Sequence, residues 1–576
     1  MRLKTERQYN KNFLLKDGDY KSTKEIFERI AKYMPNKNIL AELDKNKNII
    51  YYTASDLLRD VEAIGDGLID LGLENKHIAI SADNSYRYVM CDLSIAGGVG
   101  VVTPIDKDAP KDLLTTLLNR CEADAIICSF YLVDKIKEIQ PACPNLKTII
   151  TIDKKVDGFP CLTEIMEKGY SLSEKKYYKN KELDLNAPAK ILFTSGTTGP
   201  NKGVVLSQNN LAANTVNCMD TIVANNDKYN TSMSVLPMHH ATEINTHICA
   251  RIASGRLTYI NDSMKNMMIN IKIFKPHVIT IVPMIANAFY KAIWTNATKA
   301  GKADLLKKGI KLCKLLRPFG IDPSRKLMKD VYEPFGGNLR QIVCGGAMLN
   351  PEVVKGFGDL GIFISNGFGI TECGPLISIN TDTLNEVNSV GKPCPGLKIK
   401  LSDLNEEGVG ELCVKGKSVS LGYYKDNEAT SQVFDSDGFF HTGDLARIDQ
   451  KGRIFLAGRK KNVIILDNGK NVCPEEIENE VMNNIPYAKE CACYIGKVGK
   501  AQKEVICLGL YIEDETIRNN RNQIQQDLRT LNKQLSNYKQ INYINLLSEE
   551  FEKTALKKIK RDTILNKHDG LNVIVL

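Results

Sequence analysis

No stretch of the 576-residue chain approaches the ~18 consecutive apolar residues of a membrane span. The most apolar candidate, Leu93 to Ile105, is broken by Gly97-Gly98-Val99-Gly100 and closes in Thr103-Pro104, so it reads as a buried helix end followed by a strand. The first residues, MRLKTERQYNKNFLLKDGDYK, hold no apolar run of the signal-peptide kind. These absences predict a cytoplasmic protein with no transmembrane segment. There is no C-x-x-C and no His at zinc-finger spacing; the sixteen cysteines fall singly, and the closest, Cys491 and Cys493, would share one face of a strand. The cysteines therefore read as reduced, small core hydrophobes rather than disulfides or metal ligands. No block of one charge sign occurs either: 77 basic and 68 acidic residues are interspersed, for a net charge of +9, which argues against nucleic acid as a partner. Internal repeats and low-complexity segments are missing too.

What is present is length and a recurring pattern. A chain this long exceeds one core, so a large domain plus a smaller one is expected. Short apolar runs such as HIAISA (77 to 82), AIICS (125 to 129), HVITIV (277 to 282) and QIVCGG (341 to 346) alternate with helical patterns. That alternation predicts an α/β fold of parallel layers. Past residue 384, GLKIKLSD, GVGELCVKG and GRIFLAG read as strands with no helices between them, a small antiparallel β lobe. Pro474 followed by Glu475 and Glu476 predicts a helix start. The boundary is placed near Lys460, giving a domain of residues 1–460 and a small, mobile α+β domain of 461–576.

The densest chemistry lies in LFTSGTTGPNKGVVLS, residues 192 to 207, which packs five hydroxyl side chains, three glycines and one lysine into sixteen positions. Gly196, Gly199 and Lys202 are three apart and Lys202 precedes Gly203, so the register is not that of a Walker loop. Hydroxyls (Thr194, Ser195, Thr197, Thr198), free backbone N–H groups and one cation suit a loop that wraps a polyphosphate and releases pyrophosphate.

This string resembles the signature of the adenylate-forming, AMP-binding superfamily. Further matches follow in family order: LPMHH (236 to 240), GGAML (345 to 349), NGFGITE (366 to 372), SVGKPCPG (389 to 396), GELCVKG (410 to 416), GYY (422 to 424), HTGD (441 to 444), GRKKNVIILDNGKNVCPEEIE (458 to 478) and KTALKKIKR (553 to 561). The resemblance implies activation of a carboxylic acid by ATP and Mg²⁺ to an acyl-adenylate, with pyrophosphate released. It makes Glu372 the Mg²⁺ ligand and Thr371 a contact to the α-phosphate. Gly345, Gly346 and Ala347 would form a flat adenine slot, with Asn366, Gly367, Phe368 and Gly369 beside it and the Phe368 ring on the adenine face. Asp444 would accept from the ribose hydroxyls, with Arg459 reaching the same ribose. His240 would gate the acyl pocket while His239 packs or lines it. Lys558 would bridge substrate carboxylate and α-phosphate, although Glu552 and Lys557 stand where the family usually has Pro and Gly. Lys461 would be the hinge, and Gly469 would let the pantetheine arm of coenzyme A pass.

Within the superfamily, the 458 to 478 stretch and the segment 296 to 340 resemble long-chain fatty acyl-CoA synthetases, implying a medium or long aliphatic acid and transfer to coenzyme A. The alternative is a freestanding adenylation enzyme loading an acyl or aryl acid onto a carrier protein in trans. Amino acids are disfavoured because Glu243 is the only acid beside LPMHH. In the second segment Leu305, Leu312 and Leu316 fall at helical spacing among Lys307, Lys308, Lys311 and Lys314, which fits either a solvated amphipathic helix or a peripheral membrane contact.

Overall fold

The computed structural model describes residues 20–194, 201–219, 231–347, 349–381, 386–466, 471–498, 503–553, 559 and 573–576. They fall into two compact units. One takes the described residues through Thr194, Asn201–Ile399 and Val414–Phe440, and the other takes Lys400–Cys413 and the described residues from His441 onward.

The first unit is built on two sheets. One has six strands in the order Thr148–Thr151, Ala125–Cys128, Lys76–Ser81, Gly100–Pro104, Pro188–Thr194 and Lys202–Ser207; its pairs are parallel except the last, which is antiparallel. The other has nine strands. Its parallel centre runs Phe363–Gly369, Gln341–Cys344, Val278–Ile281, Thr231–Ser234, Leu257–Ile260 and Asn38–Leu43, with antiparallel strands outside. AIIC, VITI and QIVC are buried at every position, as strands covered by helices on both faces must be.

Alternation along these strands sorts their side chains into separate cores. Ile78 and Ile80 join the layer that also holds Leu40, Val278 and Val343, so this core lies between the two sheets. Ala79, Ile126 and Cys128 face the opposite way, onto Leu117 and Ile136 of flanking helices. Ile279, Ile281 and Ile342 do the same on the other sheet, against Phe289 and Phe357. Pro283 occupies the first turn of the helix Pro283–Lys299, where its missing N–H costs nothing. Leu93 to Ile105 is a helix end, a wide turn and the strand Gly100–Pro104, as the glycines predict.

A four-stranded sheet is ordered Lys398–Ser402, Gly410–Lys415, Phe440–Ile448 and Ile454–Arg459, the last two antiparallel. The expectation of strands without an intervening helix needs one correction. Asn427–Val433 is helical, started by the Asp426 carboxylate accepting from the Ala429 N–H. Further on, the helix Pro474–Asn484 begins at the proline with Glu475 and Glu476 in its first turn. It packs on a sheet ordered Glu490–Val498, Lys503–Tyr511, Tyr543–Leu547 and Val573–Val575. Cys491 and Cys493 enter one core while Ala492, between them, enters another. All sixteen cysteines are free thiols and buried.

Candidate active site

In the parallel sheet, Cys344 pairs with Asn366, so Gly345, Gly346 and Ala347 leave one strand beside the outgoing end of the next. Ligands bind at such carboxyl-terminal ends of parallel strands, where side chains and backbone are free of the sheet. Gly346 has φ of +90°, which a side-chain-bearing residue resists, although a Cβ there would meet nothing within 4 Å. The glycine therefore serves the turn, and the surface above it stays flat. Asn366 and Phe368 are buried, and Gly367 and Gly369 alternate with them at partly exposed positions.

Thr371 and Glu372 follow in a single tight turn, both half-exposed. Thr194 and Lys202 are cross-strand partners in the six-stranded sheet. Ser195, Gly196, Thr197, Thr198 and Gly199 lie outside the described residues. The two motifs are joined by a residue that the sequence reading left unassigned. The Tyr423 hydroxyl donates to Glu372 Oε1 at 2.9 Å, and Lys202 Nζ stands over the Tyr423 ring, 4.8 Å from its centroid. Burial, then the Glu372 carboxylate, holds the Tyr423 hydroxyl above its ordinary pKa, so it remains the donor. Among the described residues, Glu372 Oε2 has no hydrogen bond. One oxygen is thus fixed and the other is open, a hard-oxygen donor suited to a magnesium ion.

The His239 and His240 rings lie tilted at 47° with centroids 4.2 Å apart in the turn after Pro237, both partly exposed yet closely surrounded. Burial, then the neighbouring His240, pushes His239 down to about 4. Burial also lowers His240, against the opposing pull of Asp106 and Glu243. A neutral imidazole at 240 has one N–H to donate and one nitrogen to accept. Glu243 itself is fully buried. Its Oε1 meets His247 Nδ1 at 2.8 Å, its Oε2 accepts from the Leu236 N–H at 3.3 Å, and His247 Nε2 reaches Ser232 Oγ at 3.0 Å. Both oxygens are committed inside the protein, so Glu243 anchors the LPMHH turn and has none left for a substrate ammonium.

In the second unit, Asp444 and Arg459 are cross-strand partners and form an ion pair, Arg459 Nε to Asp444 Oδ1 at 2.8 Å. The Arg459 Nη1 also donates to the Thr442 carbonyl, and the Thr442 hydroxyl accepts from the Asp444 N–H. The HTGD turn is held by a second residue the sequence reading did not name. Glu411 Oε1 accepts from the Gly443 N–H at 3.1 Å, and its Oε2 meets His441 Nδ1 at 3.0 Å and Lys460 Nζ at 2.8 Å. Burial works to raise the Glu411 carboxyl, but the bonds from His441 and Lys460 outweigh it and hold the group below the usual carboxylate range. The signal was its place in GELCVKG, one of the matching motifs. Lys461 is exposed in the turn Lys460–Asn462. Gly469 and Lys558 lie outside the described residues. Glu552, where the family has Pro, is exposed, and Lys553 beside it pairs with Glu490 and with Glu550.

The AMP-binding enzyme family model matches residues 27–424, more than two thirds of the chain. The chain belongs to the AMP-binding enzyme family. It is 27% identical over 451 residues to the long-chain-fatty-acid–CoA ligase FadD15 of Mycobacterium bovis, covering 74% of this chain and 73% of that one. It is 26% identical over 499 residues to long-chain-fatty-acid–CoA ligase 5 of Rattus norvegicus, covering 81% of this chain and 73% of that one. Its fold matches the crystal structure of the anthranilate CoA ligase AuaEII in complex with anthranoyl-AMP, at a TM-score of 0.74 and 17% identity over 95% of this chain and 96% of that one. No helix among the described residues is long and apolar enough to cross a membrane.

Proposed function

We propose that this enzyme activates a carboxylic acid with ATP and transfers the acyl group to coenzyme A, and that the acid is a medium- or long-chain fatty acid. The observation that carries this reading is the meeting at Tyr423 of the carboxylate of Glu372 and the cation of Lys202. An acid able to hold magnesium and a lysine able to face phosphate stand together where a polyphosphate loop leaves its strand. A carboxylate is a poor electrophile until its oxygen is made a leaving group. In the first step a substrate carboxylate oxygen attacks the α-phosphorus, the bond to the bridging oxygen breaks, and pyrophosphate leaves. In the second the thiol sulfur of coenzyme A adds to the acyl carbon and loses its proton, and AMP departs.

Magnesium, held by Glu372, supplies positive charge against the phosphates. Lys202, Thr194 and the hydroxyls of Ser195, Thr197 and Thr198 bind the polyphosphate, Thr371 meets the α-phosphate, and the neutral His240 ring offers its N–H to carboxylate or phosphate. Gly345 to Ala347 and Asn366 to Gly369 take the adenine, and Asp444 with Arg459 the ribose. Lys558 supplies the cation between carboxylate and α-phosphate, Lys461 serves as the hinge, and Gly469 lines the path of the pantetheine arm. The fatty acid is supported by the fatty-acid ligases among the relatives. The consumed oxygens of Glu243 weigh against an amino acid.

The test is ATP–pyrophosphate exchange across acids of graded chain length, aryl acids and amino acids, followed by thioester formation with coenzyme A. Exchange that rises with aliphatic chain length, and thioester only with coenzyme A, is expected. Exchange with amino acids alone would overturn the substrate, and exchange without thioester would overturn the acceptor.

A further inference from the structure

We propose that residues 303 to 327 form a docking surface for an anionic lipid bilayer. The helix Ala303–Leu316 buries only Leu306 and Cys313. Its opposite side exposes Leu305 (65%), Leu312 (43%) and Leu315 (66%), and the chain beyond continues the patch with Phe319 (76%), Ile321 (54%) and Leu327 (45%). These are six of the twenty-two large apolar side chains exposed among the described residues, gathered in one short segment. Of the sequence-predicted stripe, Leu316 is only half-exposed and Leu315 takes its place, because the buried side is set by Leu306 and Cys313. Leu327 lies beside the same helix: its Cβ is 4.0 Å from where a Cβ on Gly309 would stand.

Charge decides the partner. Residues 301–330 carry seven Lys and two Arg against three Asp, a net +6 in a chain whose whole charge is +9. Some of these cations are taken: Lys302 by Asp330, Lys314 by Asp359 and Arg317 by Asp322. Lys308 and Lys311 have no ion pair among the described residues. Lys308 lies within the apolar stripe itself, three residues after Leu305 and four before Leu312. Protein–protein interface cores are depleted in lysine. A bilayer surface favours this mixture, because leucine and phenylalanine enter the acyl boundary while lysine stems snorkel to anionic headgroups.

Binding is measured on the full chain with no acid, ATP or coenzyme A present, so it stands or falls apart from the proposed reaction. Co-sedimentation would compare vesicles of phosphatidylcholine with vesicles of phosphatidylcholine and phosphatidylglycerol, at low and high salt. Binding to the anionic vesicles, weakened by salt, is expected. Lys308→Ala with Lys311→Ala should lower the partition coefficient about fivefold per lysine. Leu315→Ser with Phe319→Ser should lower it at least tenfold, with melting temperatures unchanged because all four side chains are exposed. No binding to anionic vesicles, or equal binding by both variants and the parent, would overturn the proposal. So would a concentration-dependent dimer, seen by sedimentation, that the Leu315→Ser, Phe319→Ser variant dissolves while vesicle binding persists.

Discussion

Replacing Tyr423 by Phe removes one hydroxyl and leaves the ring, so it separates the two jobs the residue performs. The lost contact is the 2.9 Å bond to Glu372 Oε1. Hydrogen bonds to charged groups contribute about 1.5–3 kcal/mol. Both side chains are half-exposed, so water recovers part of the contact and the low end applies. About 1.4 kcal/mol corresponds to a tenfold change in an equilibrium. The variant should therefore bind Mg–ATP about tenfold more weakly and need more magnesium for half-maximal pyrophosphate exchange. The KM of the acid should stay as it was, and calorimetry should show AMP binding unchanged, since AMP needs no metal. Lys202, 4.8 Å from the ring centroid, should be undisturbed. Tyr423→Leu removes the ring too and should lose a further ~0.5–1 kcal/mol, the range for exposed cation–π contacts. Only that second loss should vanish in a Lys202→Ala background. Equal weakening of AMP and Mg–ATP by Tyr423→Phe, or a change below about twofold in both, would refute the argument.

Asp444→Ala should weaken ATP and AMP alike by about 1.5–3 kcal/mol in calorimetry, because the ribose and not the phosphates loses its acceptor. His239 is lowered from 6.5 to about 4 by burial and His240, so the unfolded chain takes up the proton first as pH falls. Its contribution is intact above about pH 6.5 and lost progressively toward pH 4, and denaturant titrations should find His239→Gln with a flatter stability profile across that window. Lys558→Ala should abolish adenylate formation yet still convert preformed acyl-adenylate and coenzyme A to thioester, as separate assays of the two half-reactions would detect; equal loss of both would reject the assignment.

The parallel sheets were legible because a strand covered on both faces leaves a short, mostly apolar run, as AIIC and VITI do. Pro283 and Pro474 marked helix starts for a stereochemical reason that tertiary context does not override. The pairing of Asp444 with Arg459 was legible only as two motifs pointing to one ribose; the ion pair between them depends on strand register. What stayed hidden depends on partners far apart in the chain. Lys190, in the strand run PAKILFT, is 2% exposed and donates to Asp92 and Asn245, at 2.7 and 2.9 Å. No local pattern announces a cation whose counter-ion lies 98 residues earlier. Glu243 looked like a lone acid beside a substrate pocket and turned out to be a buried brace, since its partner His247 is visible only once the helix has formed.

Tyr423 was hidden for the same reason, and its backbone explains how it works. Ser420 to Tyr424 runs along the edge strand Lys202–Ser207: Leu421 N donates to the Val205 carbonyl, Val205 N to Gly422, and Tyr424 N to Gly203. At its start, the Ser420 N–H donates to the carbonyl of Glu372 itself. The segment is therefore bonded at once to the strand that begins with Lys202 and to the backbone of the carboxylate. Gly422, at φ +109°, makes the bend, and a Cβ there would lie 2.4 Å from Thr430 Cγ2. Thr430 Oγ1 in turn accepts from the Tyr423 N–H at 2.9 Å, so the helix Asn427–Val433 fixes the register. A slip of one residue along the edge strand would turn Tyr423 to the opposite face and leave Glu372 without its donor. The helix that the sequence reading omitted is thus part of what aims the Glu372 carboxylate, and the GYY motif owes its second residue to that register.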